Sequence, residues 1–145
     1  MLPTVFNCYD QDRIAAWKEF RDTLETSKTP FEDVAELWSH APFVGPYLDY
    51  QNPNTWPDPW HLVLDSHLDE LAITLGMLYT IKLTQRFRNS KCEVYRVKKL
   101  LDKEYSNILV VDTQNVLNFE YNRVVGVDKL VGYDSNLLWT APQLW

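Results

Sequence analysis

The sequence predicts an α+β fold in which helices come first along the chain and strands follow. Apolar residues recur at helical spacing through roughly the first 85 positions, and β-like alternation replaces that pattern after about residue 90. Segregation of this kind favours N-terminal helices and one central buried helix packed on a small antiparallel sheet. A length of 145 residues fits one domain. We divide it into a helical part with an aromatic loop (1–54), a core (55–125) and a C-terminal arm (126–145).

Two helices are predicted before the aromatic loop. Asp10 and Asp12 suit the cap and the acidic first turn of a helix that runs to about Glu25. Pro30 suits the first turn of a second helix, which ends before Pro42 because a residue that precedes proline disfavours helical backbone. Both helices place apolar and aromatic residues on one face, so both are expected to pack against the body of the domain.

A long central helix is predicted to follow the loop. Asp58 is a suitable N-cap and Pro59 a suitable first helical residue. A continuous apolar stripe then reaches Tyr79, with members at Leu64, Leu68, Leu71, Ala72, Leu75 and Leu78. This spacing predicts one uninterrupted helix, the most buried of the chain.

The second half of the chain predicts strands. Alternation marks 92–97 and 116–121, and 105–112 contains a nearly continuous apolar run. The turn residues at 113–115 predict that the last two of these strands form an antiparallel hairpin. A further strand is predicted at 137–139.

Composition excludes several classes of protein. The net charge of −6 argues against duplex nucleic acid as the main partner, and no segment is long and apolar enough to span a membrane. Half of the basic residues nevertheless cluster in one region (Lys82, Arg86, Arg88, Lys91, Arg96, Lys98 and Lys99), which indicates either a solvated edge or a contact with an acidic protein. We expect no cofactor and no small-molecule substrate. Without a signal peptide, the chain is expected to be cytoplasmic when made.

The two cysteines, Cys8 and Cys92, belong to no metal-binding or redox motif. Free thiols in a reducing compartment are favoured over a disulfide. A nucleophile pair of Cys92 with His67 is an alternative, but a cysteine on a strand is more often a small buried residue.

Four segments within 55–125 carry a resemblance to a known fold. They are a Trp-Pro-Asp-Pro run at 56–59, a helix start at 66–72, a strand at 105–111 and a turn into the next strand at 115–118. In order and spacing, the chain resembles the transglutaminase-like, or papain-like thiol, fold. The bacterial transglutaminase-like cysteine proteinases are similar in having a tryptophan-proline stretch, a helix that starts at the catalytic cysteine, a histidine strand and an aspartate strand.

The resemblance implies that the catalytic triad is degenerate. The cysteine position falls on Leu68, the histidine position on Asn107 and the aspartate position on Asn118. The chemistry of the family needs a thiolate, a base that accepts its proton and a group that orients the base. Leucine is no nucleophile and asparagine is no base near neutral pH. We therefore expect a pseudoenzyme.

The predicted central helix offers an alternative metal site among His61, Asp65, His67, Asp69 and Glu70. His61, Asp65 and Asp69 follow one another at four-residue spacing, which would place them on one helical face. A histidine with two carboxylates suits zinc or manganese. No HExxH motif accompanies them, so a solvated polar face is favoured.

These observations predict a non-catalytic structural or interaction protein, a small subunit of a larger assembly such as a bacteriophage tail or baseplate in a virion. Its aromatic loop and C-terminal arm would supply the docking residues Tyr47, Tyr50, Trp56, Trp139, Leu144 and Trp145. The arm is alternatively a segment that closes the chain's own core. Two other functions stay open: a metal-assisted or cysteine hydrolase, and an adaptor that binds a peptide in the vacated cleft over Leu68. The adaptor requires an open groove beside Leu68 and the Asn107 strand that neither Trp56 nor Trp60 fills.

Overall fold

The computed structural model describes residues 5–45, 47–65, 67–99 and 104–144, and it confirms the predicted α+β class. Within these residues the helices are α1 (Asp10–Leu24), α2 (Pro30–Ser39), α3 (Pro59–Leu64) and α4 (Glu70–Lys82). The strands are β1 (Cys92–Lys99), β2 (Tyr105–Val111), β3 (Asn115–Leu117), β4 (Val124–Gly126) and β5 (Tyr133–Thr140). They form one antiparallel sheet in the order β4-β3-β2-β1-β5. No described helix is long and apolar enough to cross a membrane.

The first two helices lie where the sequence predicts them. α1 carries Asp10 and Asp12 in its first turn, and Pro30 opens α2. The N-cap of α1 is Tyr9 and makes no side-chain capping bond. Asp10 therefore contributes first-turn negative charge at the positive end of the helix dipole, and the expected capping role is wrong.

The prediction of a single central helix is wrong, because the chain forms two helices, α3 and α4, in this region. Asp58 caps α3 as predicted, with its carboxylate accepting a hydrogen bond from His61 N at 2.9 Å. Beyond Leu64 the backbone turns extended at Asp65, and α4 begins only after Asp69. Leu68 lies in the link and forms a β-bridge with Phe43. Since Leu68 is fully buried in this bridge, the apolar stripe runs through a break in the helix.

Arg13 of the adjacent helix α1 stabilises the break. Its Nη1 donates to Val63 O at 3.2 Å and to Asp65 O at 3.0 Å, and its Nε donates to Cys8 O at 2.9 Å. These carbonyls include acceptors that the short α3 leaves without helical partners at its C-terminal end. A buried guanidinium thereby joins the beginning of α1 to the end of α3.

The helical core is organised around one hydroxyl of α4. Thr80 Oγ1 accepts hydrogen bonds from two buried indoles, Trp17 Nε1 at 3.0 Å and Trp38 Nε1 at 2.9 Å. It donates to Gly76 O at 2.6 Å. Gly76 faces the six-membered ring of Trp38 so closely that a Cβ at this position would overlap it. α1, α2 and α4 thus meet where one hydroxyl satisfies both indole N–H groups and where the absence of a side chain at Gly76 leaves room for the Trp38 ring.

The sheet confirms the predicted hairpin and extends beyond it. β2 pairs with β3 across the turn, although β3 stops at Leu117, short of the expected end. The strand predicted at 137–139 is part of the longer β5, which pairs with β1. Most of the described residues of the expected C-terminal arm therefore belong to the chain's own sheet or pack on its core.

The double acceptor at Thr80 makes a direct prediction about stability. We expect Thr80→Val, which keeps the side-chain shape, to lower the free energy of unfolding by about 2 to 4 kcal/mol because two buried indole N–H groups lose their acceptor. Urea denaturation measures the change. Thr23→Val, at an exposed hydroxyl that donates only to Phe20 O, is the matched control with an expected change below about 0.5 kcal/mol. An equal effect of both substitutions would contradict the role of Thr80.

Candidate functional site

A cleft of about 520 Å³ lies between the loop that follows α2 and the surface formed by α4, β1 and β2. One wall is formed by loop residues 43–44 and 47–50, with the aromatic residues Phe43, Tyr47 and Tyr50. The other wall is the first turn of α4 with neighbouring strand residues, and it presents Glu70, Leu71, Arg96, Tyr105 and Asn107. Its volume falls in the range of sites that hold a small molecule or a few residues of a peptide.

Asp69 holds the two walls together. One carboxylate oxygen accepts Ala72 N at 2.8 Å and thereby caps α4. The other accepts Tyr47 N and Leu48 N, both at 2.9 Å. Only 2% of Asp69 is exposed, so this carboxylate serves as a structural anchor whose lone pairs are occupied. The loop wall is therefore fixed to the start of the helix.

A polar cluster closes the inner side of the cleft. Glu70 Oε1 accepts hydrogen bonds from Asn107 N at 2.6 Å and from Asn107 Nδ2 at 3.1 Å. Asn118 Nδ2 donates to Thr74 Oγ1 at 2.8 Å and to Asn107 O at 3.2 Å. The Thr74 hydroxyl in turn lies 3.0 Å from Asn107 O. The first turn of α4, β2 and the end of β3 meet in this network.

The structure brings together two of the three positions that the resemblance implies. Asn107 and Asn118 meet through the Thr74 hydroxyl and the backbone of β2. Leu68 is fully buried and stands apart as part of the β-bridge to Phe43. The side chain that faces Asn107 from the helix start is Glu70, which the sequence offers only as a metal candidate and not as a partner of Asn107. The signal that reveals Glu70 is Asp69, because a capping aspartate makes the next residue the first of the helix.

Glu70 is the titratable group of this network. Burial raises the pKa of its carboxyl above the ordinary value, against the opposing effects of the hydrogen bonds from Asn107 and of the charge on Arg96. The Oδ1 atom of Asn107 is buried and has no hydrogen-bond partner among the described residues. A protonated Glu70 would be able to donate to such an acceptor.

Arg96 lies at the outer part of the cleft between two rings. Its guanidinium carbon is 3.7 Å from the centroid of Tyr50 and 4.5 Å from that of Tyr105. Arg96 and Asn107 are register partners on β1 and β2, so both side chains project on the helix-facing side of the sheet. Cation–π contacts of this kind are worth about 0.5 to 2 kcal/mol and hold the guanidinium in place.

The structure does not bring the three evenly spaced metal-ligand candidates, His61, Asp65 and Asp69, together. The break after α3 removes the four-residue helical relation between Asp65 and Asp69. His61 Nδ1 pairs with Asp58 Oδ2 at 2.7 Å on the surface. The buried carboxylate of Asp69 accepts hydrogen bonds from three backbone N–H groups. Asp65 accepts from Tyr47 Oη at 3.2 Å. The described residues contain no group of three or more histidine, cysteine or acidic side chains placed to hold a metal ion.

The cysteines remain thiols. Neither Cys8 nor Cys92 forms a disulfide. Cys92 is fully buried on the helix-facing side of β1, and its burial raises the pKa of the thiol to about 12. A nucleophilic thiolate at this position is strongly disfavoured at neutral pH, which weighs against the pair with His67.

The predicted docking residues divide into two groups. Tyr47 and Tyr50 line the cleft. Trp56 and Trp139 contact each other edge to face, with centroids 5.7 Å apart, and Leu144 packs against the core. Trp145 lies outside the described residues. Of the five described positions, Tyr47 and Tyr50 line this cleft, and Leu144 lines a separate concavity of about 400 Å³ beside α1 and Leu83.

Comparison of the chain with models of known families, with curated proteins and with solved structures gives no match. The resemblance to the transglutaminase-like fold stays a prediction from the sequence.

The raised pKa of Glu70 predicts a pH-dependent stability. Because the folded protein holds this proton more tightly than the unfolded chain, the free energy of unfolding falls as the pH rises from the unfolded-state pKa to the raised pKa. Glu70→Gln keeps an acceptor for Asn107 and carries no charge. We expect this variant to be more stable than the parent at about pH 7, with a smaller difference at about pH 4.

Chemical denaturation at both pH values measures this difference, and Glu19→Gln on the exposed side of α1 is the control. A Glu70→Gln variant that is less stable than the parent at the higher pH would show that the Glu70 charge favours the fold.

Proposed function

We propose that this protein is a non-catalytic interaction protein whose cleft binds an extended segment of a partner protein. The observation that supports it is a cleft with fixed walls and accessible aromatic side chains. Asp69 joins the walls through three backbone N–H groups, yet Phe43 is 66% exposed and Tyr47 is 49% exposed. Exposed aromatic rings around a concave surface are typical of peptide recognition.

The tryptophans that would fill such a groove are engaged elsewhere. Trp56 donates its Nε1 hydrogen to Asp49 O at 2.8 Å and packs against Trp139. Trp60 lies against Trp17, with centroids 5.6 Å apart, and near the Arg21 guanidinium. Neither ring lines the cleft. The groove beside the Asn107 strand is therefore free of both tryptophans, whereas Leu68 is fully buried and does not line it. This supports peptide binding along the Asn107 strand rather than over Leu68.

The cleft, rather than the C-terminal arm, is the proposed docking element. Trp139 and Leu144 pack within the chain, so the apolar area expected to meet a neighbouring subunit is largely used for the protein's own core. Binding through the cleft is compatible with a subunit of a larger assembly. The setting in a phage tail or baseplate stays a prediction from the sequence.

The decisive experiment is selection of peptides by the purified protein. We expect a displayed library of random dodecapeptides to yield an enriched consensus on the parent protein. The consensus should be lost on the double variant Phe43→Ala, Tyr47→Ala, because these changes remove exposed aromatic area from the cleft.

The control for this selection is Tyr9→Ala, which removes an aromatic side chain that is 77% exposed and does not line the cleft. It should select the same consensus as the parent. Failure to enrich any consensus, or enrichment that is unaffected by the cleft substitutions, would refute peptide binding at this site.

A further inference from the structure

Arg96 differs from the other charged groups of the cleft in having no hydrogen-bond acceptor within the described part of the chain. Asp69 accepts three backbone N–H groups, and Glu70 accepts both donors of Asn107. Asp49 accepts Gln51 N at 2.9 Å. The carboxylates of the cleft thus already accept hydrogen bonds from the protein. A guanidinium has five N–H donors, and those of Arg96 have no acceptor among the described residues.

The rings beside Arg96 prepare it to bind an anion. With Tyr50 at 3.7 Å and Tyr105 at 4.5 Å, the guanidinium is held in place before any ligand arrives. Less side-chain entropy is lost when an immobilised guanidinium forms hydrogen bonds. Arg96 occupies one face of each ring, so the space between Tyr50 and Tyr105 already holds a cation of the protein itself.

A carboxylate that binds Arg96 belongs either to a chain terminus or to an acidic side chain, and the backbone groups around the cleft distinguish the two. Capture of a chain-terminal carboxylate commonly uses a nest of free backbone N–H groups. Here the N–H groups of Tyr47 and Leu48 donate to Asp69, and that of Asn107 donates to Glu70. Arg96 instead offers a planar side-chain fork, which suits the two oxygens of an aspartate or glutamate side chain.

We propose that the cleft selects partner segments that carry an acidic side chain, which pairs with the Arg96 guanidinium beside an apolar residue that packs on Phe43. This inference rests on the proposed peptide-binding function and names the chemistry of its ligand. It also assigns a role to one member of the basic cluster that begins at Lys82.

Glu70 opposes the same ligand. Its charge lies near enough to Arg96 for the two to interact, so a carboxylate bound to Arg96 is repelled by an ionised Glu70. Asp49 and Asp69 add negative charge on the loop side and at the helix start. Removing the Glu70 charge should therefore strengthen binding, a response that a merely structural role of Glu70 would not produce.

The test uses three capped pentapeptides, Gly-Phe-X-Phe-Gly with X as Glu, Gln or Lys, titrated into the isotopically labelled protein and followed by proton–nitrogen correlation spectra. We expect the Glu peptide to shift the Arg96 Nε–Hε signal and the Tyr47 and Leu48 amides. It should bind roughly tenfold more tightly than the Gln peptide, equivalent to about 1.4 kcal/mol.

Two variants and a matched control complete the design. Arg96→Gln should abolish the preference for Glu over Gln, and Glu70→Gln should increase the affinity for the Glu peptide. Lys98→Gln removes one positive charge from the same face of β1. Lys98 Nζ lies 5.6 Å from the Tyr105 centroid, but Lys98 does not line the cleft. This variant should keep the preference. Thermal denaturation of each variant confirms that it is folded.

The outcomes separate this inference from the proposed function. Equal binding of all three peptides at the cleft amides, or tighter binding of the Lys peptide, would overturn the acidic preference while leaving peptide binding in place. If the random library yields no consensus and none of the pentapeptides shifts the cleft amides, both the proposed function and the inference fail.

Discussion

The carboxylate of Asp69 is the interaction on which the cleft depends. It ends the extended link, begins α4 at the following residue and binds the backbone of the loop at Tyr47 and Leu48. A helix cap normally satisfies one or two orphan donors of its own helix. Here one buried carboxylate also supplies the acceptor that a distant loop needs, so local helix initiation and the shape of the binding surface are consequences of the same three hydrogen bonds.

Much of the fold was predictable from short-range signals. Prolines marked the starts of α2 and α3, Asp58 marked the cap of α3, and alternation marked β1 and the β2–β3 hairpin. The break between α3 and α4 was not, because Leu68 keeps the helical spacing while it is buried in a β-bridge to Phe43. Apolar periodicity reports which residues are buried, and it cannot tell a helix from a bridge at a single position.

The candidate site was only partly predictable for a related reason. The resemblance singles out Asn107 of β2 and Asn118, which follows β3, and these two residues do meet. It places the helix position at Leu68, two residues before the Glu70 that contacts Asn107, and the sequence marks Arg96 only as one of several basic residues. Its position between Tyr50 and Tyr105 depends on long-range pairing and on the course of a proline-rich loop. No local pattern encodes such contacts.

The order of strands in the sheet has a consequence for how the protein is made. β1 pairs with β2, which follows it closely in the chain, and with β5, which is synthesised after every other strand described. On the ribosome, β1 therefore spends an interval as an edge strand with unpaired backbone groups along one side. Val94 meanwhile lacks its cross-strand neighbour Trp139. Unpaired strand edges of this kind favour association with other chains. The order of strands therefore exposes β1 to wrong pairing between its own synthesis and the synthesis of β5.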